Sequence, residues 1–393
     1  MQPVPIPTHR RPPPVPHPRG PLTDDFRATA DTLPAGARTL EARYYVSDEV
    51  FAAERERILL RRWVCIGRDT ELPNAGDFVT AEVGGESLLV LRGRDGAVRA
   101  FFNLCRHRGT RLCGAAQGSL PGRITCPYHA WTYGLAGELL SAPLMDEVAG
   151  FSPADYYLIR VPLERHGGLM FVNLAPDPEP FDTAVSAHLR RIDRWRLETL
   201  RTAHRIDYTV EANWKLVIEN YSECYHCPLV HPLFTRHVHH RSGRNDSFDG
   251  ALLGGYMELT DGTESLTPDG KRCGPLLGDL GPSDLGRVYF YALFPNLTIS
   301  LHPDYVMMFL VQPLGPRQTL VRCEWLFPES ALTEGKCRPQ EAVAFWDRTN
   351  REDWTVCALV QQGVASRGYR PALMSTAESL PEAFNRQILA ALR

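Results

Sequence analysis

The chain has 393 residues, 44% hydrophobic and 23% charged, which is enough to bury a large core without disulfide staples and sets a prior of two to three domains. The formal net charge is -3 and the mean hydropathy -0.25, with no apolar run of about 18 residues. A membrane-spanning helix is therefore excluded, and a nucleic-acid or membrane-surface partner has no electrostatic basis. Ten cysteines are too few for a disulfide scaffold, and the first 22 residues lack the apolar stretch of a signal peptide. A reducing, cytoplasmic setting is expected, in which closely spaced cysteines favour metals over disulfides.

In chain order, nine prolines lie between Pro3 and Pro21, so residues 1–22 read as a disordered, proline-rich leader. Residues 47–63 read as a helix capped by Ser47, with Asp48 and Glu49 in the first turn and Arg61 and Arg62 in the last. Short strands follow at 77–83, 86–92, 97–104, 124–133 and 168–174, separated by glycine turns, which predicts an all-β module. Residues 177–180 read as a linker. Beyond it the texture is α+β: helices over 181–200, 214–226, 339–363 and 380–392, and strands over 206–211, 289–298, 304–312 and 320–327. Residues 243–286 are glycine-rich and weakly periodic, and read as a long loop or lid. The resulting division is a leader (1–22), an all-β module with its N-terminal helix (23–176) and an α+β module (177–393).

Two clamps carry chemistry in the first module. Cys105-Arg106-His107 is followed, after eighteen residues, by Cys126-Pro127-Tyr128-His129. A zinc finger usually groups two cysteines in one clamp and two histidines in the other. Here each clamp is mixed, which suits a two-iron cluster whose one iron takes both thiolates and whose other takes both imidazoles. Neutral imidazoles lower the cluster's negative charge and raise its potential. Zinc, or four purely structural side chains, is the competing reading. With their flanks, Cys105-Arg106-His107-Arg108-Gly109 and Cys126-Pro127-Tyr128-His129-Ala130-Trp131, the clamps resemble the Rieske domain of Rieske non-haem iron oxygenases over about residues 45–175. The gap is slightly longer than that family's pattern, and the surplus falls in Gly114–Gly122, expected to be a flexible loop. Cys113 fits neither clamp and is expected to be a small buried side chain.

The second module carries Asn213-Trp214-Lys215-Leu216-Val217-Ile218-Glu219-Asn220-Tyr221-Ser222-Glu223-Cys224-Tyr225-His226-Cys227-Pro228-Leu229-Val230-His231. Glu219, Glu223 and His226 share one face if the helix runs through them, and Pro228 would end it so that His231 turns back. Two imidazoles beside one carboxylate leave positions open on iron(II) for dioxygen and substrate. The segment resembles the mononuclear-iron motif of the Rieske oxygenase α subunits. The resemblance makes His226 and His231 iron ligands, and Glu223 the acid that links the iron to the Rieske cluster of a neighbouring subunit. Most ring-hydroxylating members have aspartate there, and glutamate resembles the branch acting on quaternary ammonium compounds. Leu293-Phe294-Pro295-Asn296-Leu297 and Leu301-His302-Pro303-Asp304-Tyr305 resemble the same branch. Arg351-Glu352-Asp353-Trp354 resembles the distal ligand segment and makes Asp353 the third ligand. Glu352 is its competitor, since adjacent helical residues point about 100° apart.

Other candidates stay open. His237, His239 and His240 lack an acid at ligand spacing and are expected at the surface. Glu219 could line a pocket or form a salt bridge. Tyr289, Tyr291, Phe294, Tyr305 and Phe309 could wall a pocket able to hold a trimethylammonium group, or be ordinary core.

The resemblance implies a [2Fe-2S] Rieske domain followed by an α+β helix-grip (START-like) catalytic domain holding Fe(II), in a head-to-tail homotrimer. It implies dioxygen and a small-molecule substrate, hydroxylated on an N-methyl group, with a ring-hydroxylating dioxygenase as the alternative. No Gly-x-Gly-x-x-Gly run follows a strand, so electrons are expected from a separate flavin- or ferredoxin-type reductase. A bare Rieske electron carrier is the non-enzymatic alternative, and a complete second iron motif argues against it.

Overall fold

The structure, a computed structural model, describes residues 26–393. The proline-rich leader expected over residues 1–22 lies outside the described residues.

Strands Asp77–Val83, Glu86–Arg92 and Val98–Phe102 form a meander whose alternating apolar residues, including Leu89, Leu91 and Phe101, are fully buried. Arg160–Val161 and Gln117–Ser119 complete a five-stranded sheet. The latter strand corrects the expected flexible loop of 114–122: it pairs with Asp77–Val79. The expected strand over 124–133 is instead a hairpin, Arg123–Thr125 against Thr132–Gly134, whose tip is the second clamp. A three-stranded sheet of Leu163–His166, Leu169–Val172 and Val64–Arg68 closes this all-β body.

The second body is an antiparallel eight-stranded sheet. Its order is Arg27–Ala28, Arg244–Ser247, Leu252–Glu258, Arg287–Leu293, Leu297–Leu301, Val306–Gly315, Gln318–Pro328 and Leu200–Val210. The 26-residue helix Pro339–Val364 crosses one face, burying Ala342, Phe345, Trp346, Thr349, Asn350 and Cys357 at spacings of three and four. Helices Trp214–Tyr221 and Ser379–Leu392 pack on the same face, within one continuous core that contains Trp214, Phe309, Trp325 and Phe384.

Several expectations are corrected. The helix over 47–63 is shorter, Asp48–Glu54 with a wider turn to Leu59. Residues 26–59 are built onto the second body: Arg27–Ala28 extends its sheet, and Tyr45 and Ile58 lie in its core. Residues 181–200 break into short turns ending at Arg196, which adopts a left-handed conformation. The strand expected at 206–211 begins earlier, at Leu200. The 243–286 segment contains two sheet strands. Their pattern is masked by Gly254 and Gly255, where a Cβ would come within 2.1 Å of the Phe290 carbonyl and 1.8 Å of the Arg244 carbonyl.

Candidate metal centres and active site

The two clamps are built alike. In the first, the Cys105 amide donates to the Thr110 carbonyl and the Gly109 amide donates to the Cys105 carbonyl; in the second, Cys126 and Trp131, then Ala130 and Cys126, repeat the pattern. The fourth residue after each cysteine, Gly109 or Ala130, takes a positive φ of 71° or 56°. A non-glycine residue held there costs about 1–2 kcal/mol, which the paired turn must offset. Both thiols are buried, while His107 is exposed and His129 half-exposed, their rings 4.8 Å apart. Trp131 stacks on His107 at 4.9 Å. Burial pushes the Cys105 thiol up, and neighbouring Cys126 adds to it, while hydrogen bonds from the Tyr133 hydroxyl (3.3 Å) and from the His107 amide oppose it. Two thiols thus sit inside and two imidazoles outside, the donor set of a two-iron, two-sulfur cluster. Cys113 is buried, as expected, and its backbone is held by Asn103.

The second site forms where three elements meet. Asn213 caps the Trp214–Tyr221 helix by accepting from the Lys215 amide. The helix ends at Tyr221, not at His226 as the spacing suggested. Glu223 therefore stands in a turn, and Pro228 opens a new short helix, Cys227–Val230, instead of stopping the old one. That short helix brings His231 back onto His226: their Nε2 atoms are 3.1 Å apart. Asp353 follows the buried stripe of the long helix and places Oδ1 at 2.9 Å from His231 Nε2 and 3.3 Å from His226 Nε2. The three ligand atoms lie within 4.8 Å of one another, the sole such grouping of three found among the described residues. Burial disfavours charge on each. The facing carboxylates nonetheless raise His226 to about 10 and also raise His231, and the two imidazoles hold Asp353 below its usual range.

Both imidazoles are fixed from behind. Glu223 Oε1 lies 2.5 Å from His226 Nδ1, and Glu352 Oε2 lies 2.9 Å from His231 Nδ1. These contacts leave both Nε2 atoms facing the common point. Glu352, weighed only as a rival ligand, thus has a positioning role that spacing could not reveal, because its partner is 121 residues away. Glu219 follows neither reading, lining no part of the cavity and forming no salt bridge among the described residues: its carboxylate accepts from the Tyr45 hydroxyl at 2.8 Å, and burial raises it to about 7 against that bond and nearby Lys215. Cys224 and Cys227 are joined as a disulfide around His226, contrary to the expectation that closely spaced cysteines favour metals over disulfides.

A cavity of about 440 Å³ opens beside this turn, with Glu223, Cys224, Tyr225 and Pro228 in one wall. None of Tyr289, Tyr291, Phe294, Tyr305 and Phe309 lines it. Phe290 does, because strand alternation turns it to the helix-covered face and turns Tyr289 and Tyr291 to the other. Tyr221 and Tyr225 are the other rings in the wall; Tyr256 borders the cavity from a strand whose alternation turns its ring to the opposite face, against Phe26 and Tyr289. His240 lines the rim, His239 is exposed, and His237 is half-buried beside Thr263 at 3.3 Å.

Comparisons with known proteins agree with this geometry. Residues 62–152 match the Rieske [2Fe-2S] domain, and residues 197–393 match the ring hydroxylating alpha subunit (catalytic domain). The chain is 32% identical to the glycine betaine monooxygenase oxygenase subunit of Chromohalobacter salexigens, covering 89% of this chain and 85% of that one. It is 31% identical to the carnitine monooxygenase oxygenase subunit of Escherichia coli, over 86% and 87%. Its fold matches the crystal structure of the quaternary ammonium Rieske monooxygenase CntA in complex with L-carnitine, with a TM-score of 0.76, 25% identity and coverage of 93% and 97%. With half of the chain matched by the catalytic-domain family and relatives above 30% identity over most of its length, the chain belongs to the Rieske-type ring-hydroxylating oxygenases, as an oxygenase component with a [2Fe-2S] Rieske domain and a mononuclear-iron catalytic domain.

Proposed function

We propose that this oxygenase hydroxylates an N-methyl group of a quaternary ammonium compound of the betaine type, with Cys105, His107, Cys126 and His129 holding the cluster and His226, His231 and Asp353 holding the iron. The observation that carries the reading is the convergence of His226 Nε2, His231 Nε2 and Asp353 Oδ1 beside a ring-lined cavity. When bound, the iron would supply dioxygen activation at its open positions, using electrons delivered through the cluster. The chain does the rest. Tyr221 and Phe290 offer ring faces to a trimethylammonium group, and Glu223 is the carboxylate in the cavity wall. Glu223 and Glu352 hold the two imidazoles in register. A hydroxylated N-methyl carbon is a hemiaminal, which collapses to formaldehyde and a demethylated amine.

The same proposal includes a separate reductase, a cytoplasmic setting and a head-to-tail homotrimer in which Glu223 bridges to a cluster histidine of the neighbouring copy. Two exposed apolar patches support the trimer. One surrounds the clamps, with Tyr128, Leu140 and Leu144 (92% exposed); the other surrounds the iron-site turn, with Tyr225 and Leu229 (89% exposed). The division into a cluster module ending near residue 176 and a catalytic module beyond it belongs to this proposal. The test is to supply the purified, iron-loaded protein with a surrogate reductase and a panel of betaines and aromatics. Formaldehyde and about three irons per chain are expected; a cis-diol product, or two irons per chain, would overturn it.

A further inference from the structure

The cavity beside the iron site has two chemically different ends. Its floor is apolar and buried: Leu253, Met257 and Ala292 from the helix-covered face of the sheet, with Phe290 and Tyr221 against them. Its rim is polar and open, contributed by segments distant in sequence: Thr29, His240, Arg241 and Thr376. Among the described lining residues there is one carboxylate, Glu223, and one permanent cation, Arg241.

The two charges are differently engaged. Glu223 is occupied, with Oε1 on His226 Nδ1 and Oε2 accepting from the Tyr225 amide. Among the described residues the Arg241 guanidinium is exposed and has no carboxylate partner. Its backbone, by contrast, is held in a tight turn. The His239 amide donates to the Glu258 carbonyl at 2.9 Å, the Ser242 amide donates to the His239 carbonyl at 2.8 Å, and Val238 bridges to Leu259. The turn therefore places at the mouth of a ring-lined pocket a fork of donors unpaired among the described residues. A guanidinium in that state matches a carboxylate in shape and charge.

We propose that Arg241 is the specificity-determining residue that binds the carboxylate of a zwitterionic substrate, so that the enzyme selects betaines over quaternary ammonium alcohols. The inference rests on the quaternary ammonium reading above and adds the second half of the ligand. The anionic end is held at the rim, and the trimethylammonium end is directed to Tyr221 and Phe290, beside the wall that carries Glu223 and Cys224. A charge-assisted, two-pronged contact contributes a factor of about 10 to 100 in affinity.

The experiment uses the holoenzyme with a surrogate reductase, comparing the native protein with Arg241→Met and Arg241→Lys on glycine betaine, carnitine and choline. Calorimetric binding of glycine betaine, without turnover, is measured alongside. Arg241→Met is expected to raise KM and Kd for the two carboxylated substrates about 10- to 100-fold with little change in kcat, and Arg241→Lys to restore part of that loss. The ratio of kcat/KM for glycine betaine over choline should fall by a similar factor. Arg241→Met within twofold of the native protein in KM and Kd would overturn the role of Arg241 and leave the quaternary ammonium reading standing. A native preference for choline would do the same. A native enzyme inert toward all three compounds would refute that reading itself, and the role of Arg241 with it.

Discussion

Lys215 and Glu54 are both fully buried, with Nζ 2.5 Å from Oε1, and Trp214 Nε1 donates to the other carboxylate oxygen at 2.9 Å. The pair joins the N-terminal helix to the helix that leads into the iron-site turn. Burial lowers the Lys215 pKa, and Glu54 opposes that fall. Glu54→Gln leaves an ammonium group enclosed by the Tyr45 and Trp214 rings, 5.8 and 5.4 Å away, with no hydrogen-bonded carboxylate and only nearby Glu219 to offset its charge. Removing one partner of a buried pair costs about 3–5 kcal/mol, whereas replacing both with apolar residues of similar volume is often neutral or stabilising. Set against a total stability of about 5–15 kcal/mol, the single change is severe. The expected result is a large drop in the urea midpoint for Glu54→Gln, with loss of mononuclear iron at lower denaturant, and recovery of most of that drop in Glu54→Met/Lys215→Met. Equal midpoints for the native protein and Glu54→Gln, or a double variant no better than the single one, would refute the reasoning.

Asp353→Ala should lose mononuclear iron while the cluster keeps its electron paramagnetic resonance signal; full iron retention would move the ligand elsewhere. Glu352→Ala removes the group behind His231 Nδ1 and should weaken iron binding about 10- to 100-fold without abolishing it, read by competition with a chelator. Glu223→Gln should keep both metal centres and lose most turnover, and normal coupled turnover would remove its bridging role. Glu219 titrates near 7 when folded and near 4.5 when unfolded, so the folded state holds the extra proton in between. Its contribution is complete below about pH 4.5 and is lost as pH rises through 7, so Glu219→Gln should gain on the native protein between pH 5 and pH 8. At 1.36 kcal/mol per unit, discounted for the partly exposed side chain, the gain is about 1–3 kcal/mol by urea unfolding at the two pH values.

The clustering of the candidate ligands was legible in the sequence because their spacing is local: each Cys-x-His or Cys-x-x-His clamp closes its own turn, and His226 and His231 lie five residues apart. Asp353 needed the family resemblance, and the long helix then placed it on the buried stripe. What was not legible depended on partners distant along the chain. Glu219 could not be assigned without Tyr45, 174 residues away. Glu352 needed His231. The pocket rings were misassigned by one residue, Phe290 for Tyr289 and Tyr291, because an apolar strand buried on both faces carries no alternation to set its phase.

Residues 26–59 are stitched onto the eight-stranded sheet, so the chain contributes to that body both before and after the strands that carry the two clamps. A fragment starting at residue 197 would expose the Arg244–Ser247 edge where Arg27–Ala28 now pairs, and would strand Lys215 without Glu54. Grafting a foreign cluster module would thus require two cuts, and would also have to replace Arg68, whose guanidinium donates to the Leu197 and Leu200 carbonyls. Modular exchange of electron-transfer parts in this scaffold is therefore a seam-matching problem at three places along the chain.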